Sequence, residues 1–208
     1  MKRFLWSNAL GLALFTCVGL FNKANAQKIE FNIHNGLCFP MVKFKNNEQS
    51  LKYKTSIIND TRLGISYLPT GSFSFGVNIG YQNIEATHYD QYYQTTFENN
   101  YLILELTAGK ALKSKIIDKI IISPTMSRFI SGTQTFNNFN INPKDGFKKN
   151  SFLINTQFNF KGVSSQYTGI NPYVGFRYML SNSDLNSKDK LKIHNFLLGV
   201  LISIKYEK

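Results

Sequence analysis

The sequence is poor in several features that would point to a soluble enzyme. It has two cysteines in 208 residues, Cys17 and Cys38. Cys17 lies in an N-terminal segment expected to be removed. Cys38 is then alone, so no internal disulfide can form and a disulfide scaffold is excluded. Cys38 is expected to act as a small apolar residue in a strand. Acids are scarce, 12 against 24 lysines and arginines. Beyond residue 26 no long segment has helical period. The histidines His34, His88 and His194 match no metal-ligand spacing, and no G-x-S-x-G elbow is present. No catalytic, cofactor-binding or metal-binding residue is therefore assigned, and no enzyme activity is expected.

The first 26 residues resemble an export signal. Lys2 and Arg3 form a basic start, Phe4 to Phe21 is largely apolar, and Ala24-Asn25-Ala26 is a small-x-small cleavage site before Gln27. The division expected is a signal peptide over 1–26 and one domain over 27–208. The leader holds Lys2, Arg3 and Lys23 and no acid, so the mature chain keeps 21 basic and 12 acidic residues, net +9. An exported chain rarely meets nucleic acid, so the basic excess points instead to the anionic head groups of a membrane or lipopolysaccharide.

What the chain does have is alternation. In Ser72–Asn83, Phe73, Phe75, Val77, Ile79 and Tyr81 occupy every second position, with Ser74, Gly76, Asn78, Gly80 and Gln82 between them. This period is that of a β-strand with one apolar and one polar face. The same pattern recurs over Lys28–Met41, Leu51–Tyr67, Tyr101–Lys110, Ser151–Lys161, Pro172–Leu180 and the final Phe196–Tyr206. Lys119–Ile130 is the least regular, because Pro124 must sit at a bulge or an unpaired position. Eight strands result, and the connections between them alternate long and short. Both chain ends and the short turns then fall on one side.

The composition of the second face decides which medium the apolar face meets. Exposed faces of soluble sheets usually carry Lys and Glu, which would suit a lipocalin-like barrel binding a small apolar ligand. Here the second face of Ser72–Asn83 is Ser, Gly, Asn, Gly and Gln, with no charge. Small uncharged side chains suit the crowded lumen of a small barrel. The charges fall in the loops instead, at Lys43, Lys45, Lys52 and Lys54 in the first and Lys144, Lys148 and Lys149 in the third. The fold class expected is all-β, an eight-stranded antiparallel up-and-down transmembrane β-barrel. Lipid should face Val77 and Leu104, whereas Asn78 on the lumen side is expected to tolerate Ser almost silently.

With these features, and with "SFSFGVNIGYQ", "PYVGFRYML" and "FLLGVLISIKY" in particular, the mature chain resembles the outer-membrane β-barrel domain family. The form in question is the small eight-stranded one that includes OmpA-like and PorT-like barrels. The resemblance implies an outer-membrane location and insertion by the barrel-assembly machinery. Many such barrels end on an aromatic residue, whereas here Tyr206 is followed by two more residues.

Two constellations stand out. Arg62, Glu105, Arg177 and Lys205 share the lumen phase, and a charge inside a small barrel needs partners. Glu105 is expected to pair with Arg62 or Arg177 in a polar plug, with no open pore. Tyr89, Tyr92, Tyr93 and Phe97 lie in the polar segment Ala86–Asn100, which is either a recognition surface for an extracellular or envelope protein or a strand pair standing above the membrane. A lipid-modifying enzyme would use His34 and His194 as neighbours across the first and last strands. The role expected is structural or interactive, in envelope integrity, adhesion or help to secretion.

Overall fold

The computed structural model describes residues 28–45, 50–69, 72–89, 94–137, 139–141, 150–180 and 190–207. Its strands are β1 (Lys28–Lys45), β2 (Ser50–Lys52), β3 (Lys54–Thr55), β4 (Ile58–Leu68), β5 (Phe73–Tyr89) and β6 (Gln94–Ala111). They are followed by β7 (Ile117–Phe136), β8 (Phe139–Ile141), β9 (Asn150–Phe160), β10 (Val163–Ser164), β11 (Thr168–Met179) and β12 (Lys190–Glu207). Eight of them form an antiparallel ring in chain order, β1-β4-β5-β6-β7-β9-β11-β12. The ring closes where β12 pairs with β1, from Lys28↔Glu207 to Lys45↔Lys190. Closure leaves this sheet no open edge, the condition for a β-structure to stand in lipid.

β4 ends and β5 begins at the end that holds Lys28 and Glu207, and residues 112–116 and 161–167 connect strands there. At the opposite end the strands run on. β5 and β6 stay paired up to Tyr89↔Gln94, and β7 follows them to Thr95↔Phe136. Ala86–Tyr89 and Gln94–Asn100 are therefore parts of a raised strand pair. The continuous strand expected over Leu51–Tyr67 is broken into β2, β3 and β4, and its phase changes at Ser56 and Ile57, which are both exposed: Tyr53 packs on buried apolar residues, whereas farther on Asp60 and Arg62 face inward and Leu63 and Ile65 outward.

The irregularity of β7 has three parts. Pro124 pairs with Ile154 on β9, while Leu106 and Thr107 on the β6 side have no ladder partner opposite Pro124 and Ser123. Proline has no N–H to donate, so it occupies an unpaired position there. Ile130 is a bulge against β6, between the pairs Asn100↔Ser131 and Tyr101↔Phe129. Asp118 is a second bulge, against β9.

The faces are inverted relative to a soluble sheet. Phe73, Phe75, Val77, Ile79 and Tyr81 are exposed on the outside, between 37% and 52%, whereas Ser74, Asn78 and Gln82 are buried inside. The same outward exposure holds for Phe31, Leu63, Ile65, Leu106, Phe176, Leu198 and Ile202. An apolar surface that runs around the whole ring requires lipid.

Toward the end remote from the termini the polarity reverses with no break in the strand. On β5 the outward residues become Asn83, Glu85 and Thr87, and the inward ones become the buried Ile84 and Ala86. On β6 Glu98 and Asn100 face outward while Phe97 and Tyr101 are buried within. The ring leaves the membrane at this level, and above it the sheet is built like a soluble one. Val77→Arg, in the apolar belt, should lower unfolding stability in lipid vesicles by about 2–4 kcal/mol at mid-membrane depth. Val77→Leu should leave it unchanged. Urea titrations of both variants would measure this.

Candidate functional site

Among the described residues, charged side chains gather away from solvent in the lumen, and closure of the ring brings them there. Asp60 and Arg62 come from β4, Glu105 from β6 and Arg177 from β11, all buried to within 1% of full. Arg62 Nη1 donates to Glu105 Oε2 at 2.8 Å, and Arg62 Nε lies 2.9 Å from Asp60 Oδ2 in an ion pair poorly angled for a hydrogen bond. Arg177 Nη2 reaches Glu105 Oε1 at 3.1 Å and Asp60 Oδ1 at 3.3 Å. Two cations and two anions thus alternate around a closed ring with no net charge. Such neutrality is what allows full ions to stay in a dry interior.

Uncharged side chains add hydrogen bonds to the ring, while Arg177 Nε, Asn78 Oδ1 and Asn155 Oδ1 have no hydrogen-bond partner among the described residues. Asn78 and Asn155 donate to Glu105 at 3.1 and 3.2 Å. Arg62 Nη2 donates to Gln157 Oε1 at 3.3 Å and to the Tyr173 hydroxyl at 3.4 Å. Arg177 Nη1 donates to Gln82 Oε1, and Gln82 in turn donates to the Cys38 thiol at 2.9 Å. Glycines make room for the large groups. A Cβ on Gly80 would stand 2.5 Å from Arg62 Cγ, and one on Gly199, across the seam from Gly36, would stand 2.7 Å from the Tyr173 hydroxyl oxygen.

Above the charge ring lies an apolar layer formed by Val42, Ile84, Phe97, Tyr101, Phe129, Leu153, Met179 and Ile193. Tyr101 and Phe129 meet edge to face at 5.9 Å between ring centroids. Below the charge ring, at the terminal end, a polar cavity of about 340 Å³ is lined by Glu30, Asp118, Lys119, Lys161, Asn171 and Lys205, among others. Lys119 Nζ lies 3.7 Å from Glu30 there, and Asn171 donates to Asp118 at 3.1 Å.

The structure brings Arg62, Glu105 and Arg177 together, and Glu105 pairs with both arginines. Lys205 keeps the lumen phase but lines the terminal cavity, away from the ring. Asp60 was not singled out from the sequence, although it shares the inward phase two residues before Arg62. Asn78 is a partner of Glu105, so serine at this position would shorten its reach to a buried carboxylate and is no silent change. In the second constellation Tyr89 is 61% exposed, whereas Phe97 is 2% exposed and belongs to the apolar layer. Phe97 is thus excluded from a recognition surface because its phase turns it inward. Tyr92 and Tyr93 lie outside the described residues. His34 faces the lumen, edge to face with Tyr173 at 5.7 Å. His194 stacks on the outward Tyr178 at 4.4 Å. The register sets His34 opposite Leu201 and His194 opposite Met41, so the two histidines are neither adjacent nor on one face.

Closed antiparallel strands, an apolar belt and a filled polar lumen define a small transmembrane β-barrel of the outer-membrane type. No protein-family model and no curated protein matches the chain. Among solved structures it is similar to the outer membrane protein OprG from Pseudomonas aeruginosa, with 11% identity, 88% of this chain and 97% of that one covered, and a TM-score of 0.46. It is also similar to Ail, the attachment invasion locus protein of Yersinia pestis, with 11% identity, coverage of 88% and 100%, and a TM-score of 0.45. For Neisserial surface protein A the figures are 12%, 88% and 100%, and 0.42. These likenesses reach no further than backbone architecture.

Glu105→Ala should cost about 3–5 kcal/mol in unfolding stability, because it leaves Arg62 and Arg177 with a single carboxylate between them. Arg62→Met combined with Glu105→Leu keeps the ring neutral and should cost less than the single change, which equilibrium unfolding in vesicles would measure. Cys38, fully buried, should resist maleimide in the folded barrel and react only after unfolding, as followed by mass spectrometry.

Proposed function

We propose that the chain is an exported, integral outer-membrane barrel that conducts no solute and acts through its surfaces. Its role on this reading is structural or interactive: envelope integrity, adhesion or accessory help to secretion, without catalysis. The observation that carries the proposal is the double obstruction of the lumen, where the Asp60–Arg62–Glu105–Arg177 ring is followed in series by the apolar layer around Phe97, Tyr101 and Phe129. An eight-stranded ring has an interior only wide enough for its own side chains, so an ion crossing it would have to displace both layers. The partners on this reading are outer-membrane lipid and lipopolysaccharide, the barrel-assembly machinery during insertion, and an extracellular or envelope protein at the raised end. The outward belt of apolar side chains argues against a soluble lipocalin-like carrier, whose apolar face would line the cavity.

Fractionation of expressing cells, followed by gel electrophoresis of the envelope with and without boiling, tests the location. Recovery in the outer membrane with heat-dependent migration is expected, and a soluble periplasmic protein without a shift would contradict it. In planar bilayers the protein and Glu105→Gln should both lack steady open-channel current. The substitution leaves the apolar layer intact, so a sustained current from either would overturn the closed-lumen reading.

A further inference from the structure

The terminal half of the lumen is not filled. An eight-stranded ring is just wide enough for its own side chains to pack it, yet the polar cavity below the charge ring keeps about 340 Å³. Small residues explain the space, since Gly162, Ser164, Gly169 and Ser203 stand in its wall. Pockets that take small molecules begin at roughly this volume. Five consecutive strands of the ring, or the turns beside them, supply the lining, from β7 through β9, β11 and β12 to β1. Lys119 on β7 reaches Glu30 on β1, so their 3.7 Å ion pair crosses the lumen. Lys161, in the turn after β9, is exposed and marks the mouth.

The charges around the cavity are unequally matched. Lys119 has Glu30, and Asp118 accepts from Asn171 at 3.1 Å. Lys161 and Lys205 form no ion pair among the described residues. Glu207 shares the inward phase of Lys205, but its ladder partner is Lys28, of opposite charge, so this last pair adds no net charge. Two amines thus face the cavity without a counter-ion. No arginine lines it among the described residues. An arginine fork suits a planar carboxylate, whereas an ammonium is a point charge that serves the several oxygens of a phosphate. A phosphate monoester carries about −1.5 to −2 at pH 7, close to the charge of the two amines. On the flanking strands the carboxylates of Glu30 and Asp118 are acceptors, and their complement is a body that donates through hydroxyls.

We propose that this cavity is a binding site for a small phosphorylated polyol such as a sugar phosphate, with the phosphate between Lys161 and Lys205 and the hydroxyls toward Glu30 and Asp118. The charge ring of Asp60, Arg62, Glu105 and Arg177 stands above it, so the site is a blind pocket and not a route through the barrel. Its mouth lies at the end with the short connections, which faces the periplasm in barrels of this type. The compartment that supplies the ligand therefore rests on the outer-membrane reading, whereas the chemistry of the ligand rests on the cavity alone.

Calorimetric titration of the folded protein in polyoxyethylene-ether micelles tests this, with glucose 6-phosphate, glucose, inorganic phosphate and succinate as probes. Glucose 6-phosphate should bind saturably, and glucose and succinate at least about tenfold more weakly. Inorganic phosphate should also bind more weakly, because it lacks the hydroxylated body. Lys161→Gln/Lys205→Gln should weaken glucose 6-phosphate at least about tenfold and keep the heat-dependent migration of a folded barrel. Lys113→Gln/Lys115→Gln, which removes the same charge from the turn between β6 and β7, should bind as the parent protein does. Undiminished binding in the first variant, or equal loss in the second, would overturn the site. Equal affinity for succinate would overturn the phosphate, and equal affinity for inorganic phosphate would overturn the polyol. A protein that keeps its heat-dependent migration and binds no probe would overturn the site and leave the barrel reading standing. Absence of that migration in the parent protein would overturn the barrel reading, and the site with it.

Discussion

The pairing of β1 with β12 is the constraint on which the other features of this molecule depend. A sheet left open at that seam would expose two rows of backbone N–H and C=O groups to hydrocarbon, each at a cost of several kcal/mol. The ladder runs from Lys28↔Glu207 to Lys45↔Lys190 and satisfies both strands over their full length. Once the ring is closed with eight strands its width is set, and inward side chains from opposite walls must meet. Asp60 and Arg177, 117 residues apart in the chain, come within 3.3 Å for this reason.

At the level of Asp60, Arg62, Glu105 and Arg177 the lumen is packed with side chains, so charges placed there have to neutralise one another. The alternating ring of Asp60, Arg62, Glu105 and Arg177 meets this condition, and the amides of Asn78, Gln82, Asn155 and Gln157 occupy hydrogen-bonding positions that solvent would otherwise fill. A buried ion pair is weak evidence for added stability, because desolvation offsets much of the attraction. Its more definite consequence is geometric. Each arginine spans from one wall to others, so the ring crosses the lumen and obstructs it.

The polarity reversal along β5 and β6 shows the same strands serving two solvents. From Phe73 to Tyr81 apolar side chains face out toward lipid. From Asn83 to Thr87 polar ones face out toward water, and Ile84 and Ala86 turn in. No register shift separates the two regimes on β5, so the change lies in the residues alone. It can be read in "GYQNIEA", where the apolar phase moves from odd to even positions, yet alternation counted strand by strand passes over it. The same reversal turns Phe97 inward and removes it from the candidate recognition surface, although its neighbours in sequence are polar.

Alternation, strand number, the order of long and short connections and the lipid-facing phase were all present in the sequence, because each depends on local period and on the chemistry of single side chains. Glu105 and its arginines were legible for the same reason, since a charge on an uncharged inward face calls for a partner. Asp60 was not, because its importance comes from proximity to Arg177 across the lumen. The breaks in the segment before Ile58 and the bulges at Asp118 and Ile130 were likewise settled by the tertiary structure. They follow from the register between strands, which closure of the ring imposes and which no single strand contains.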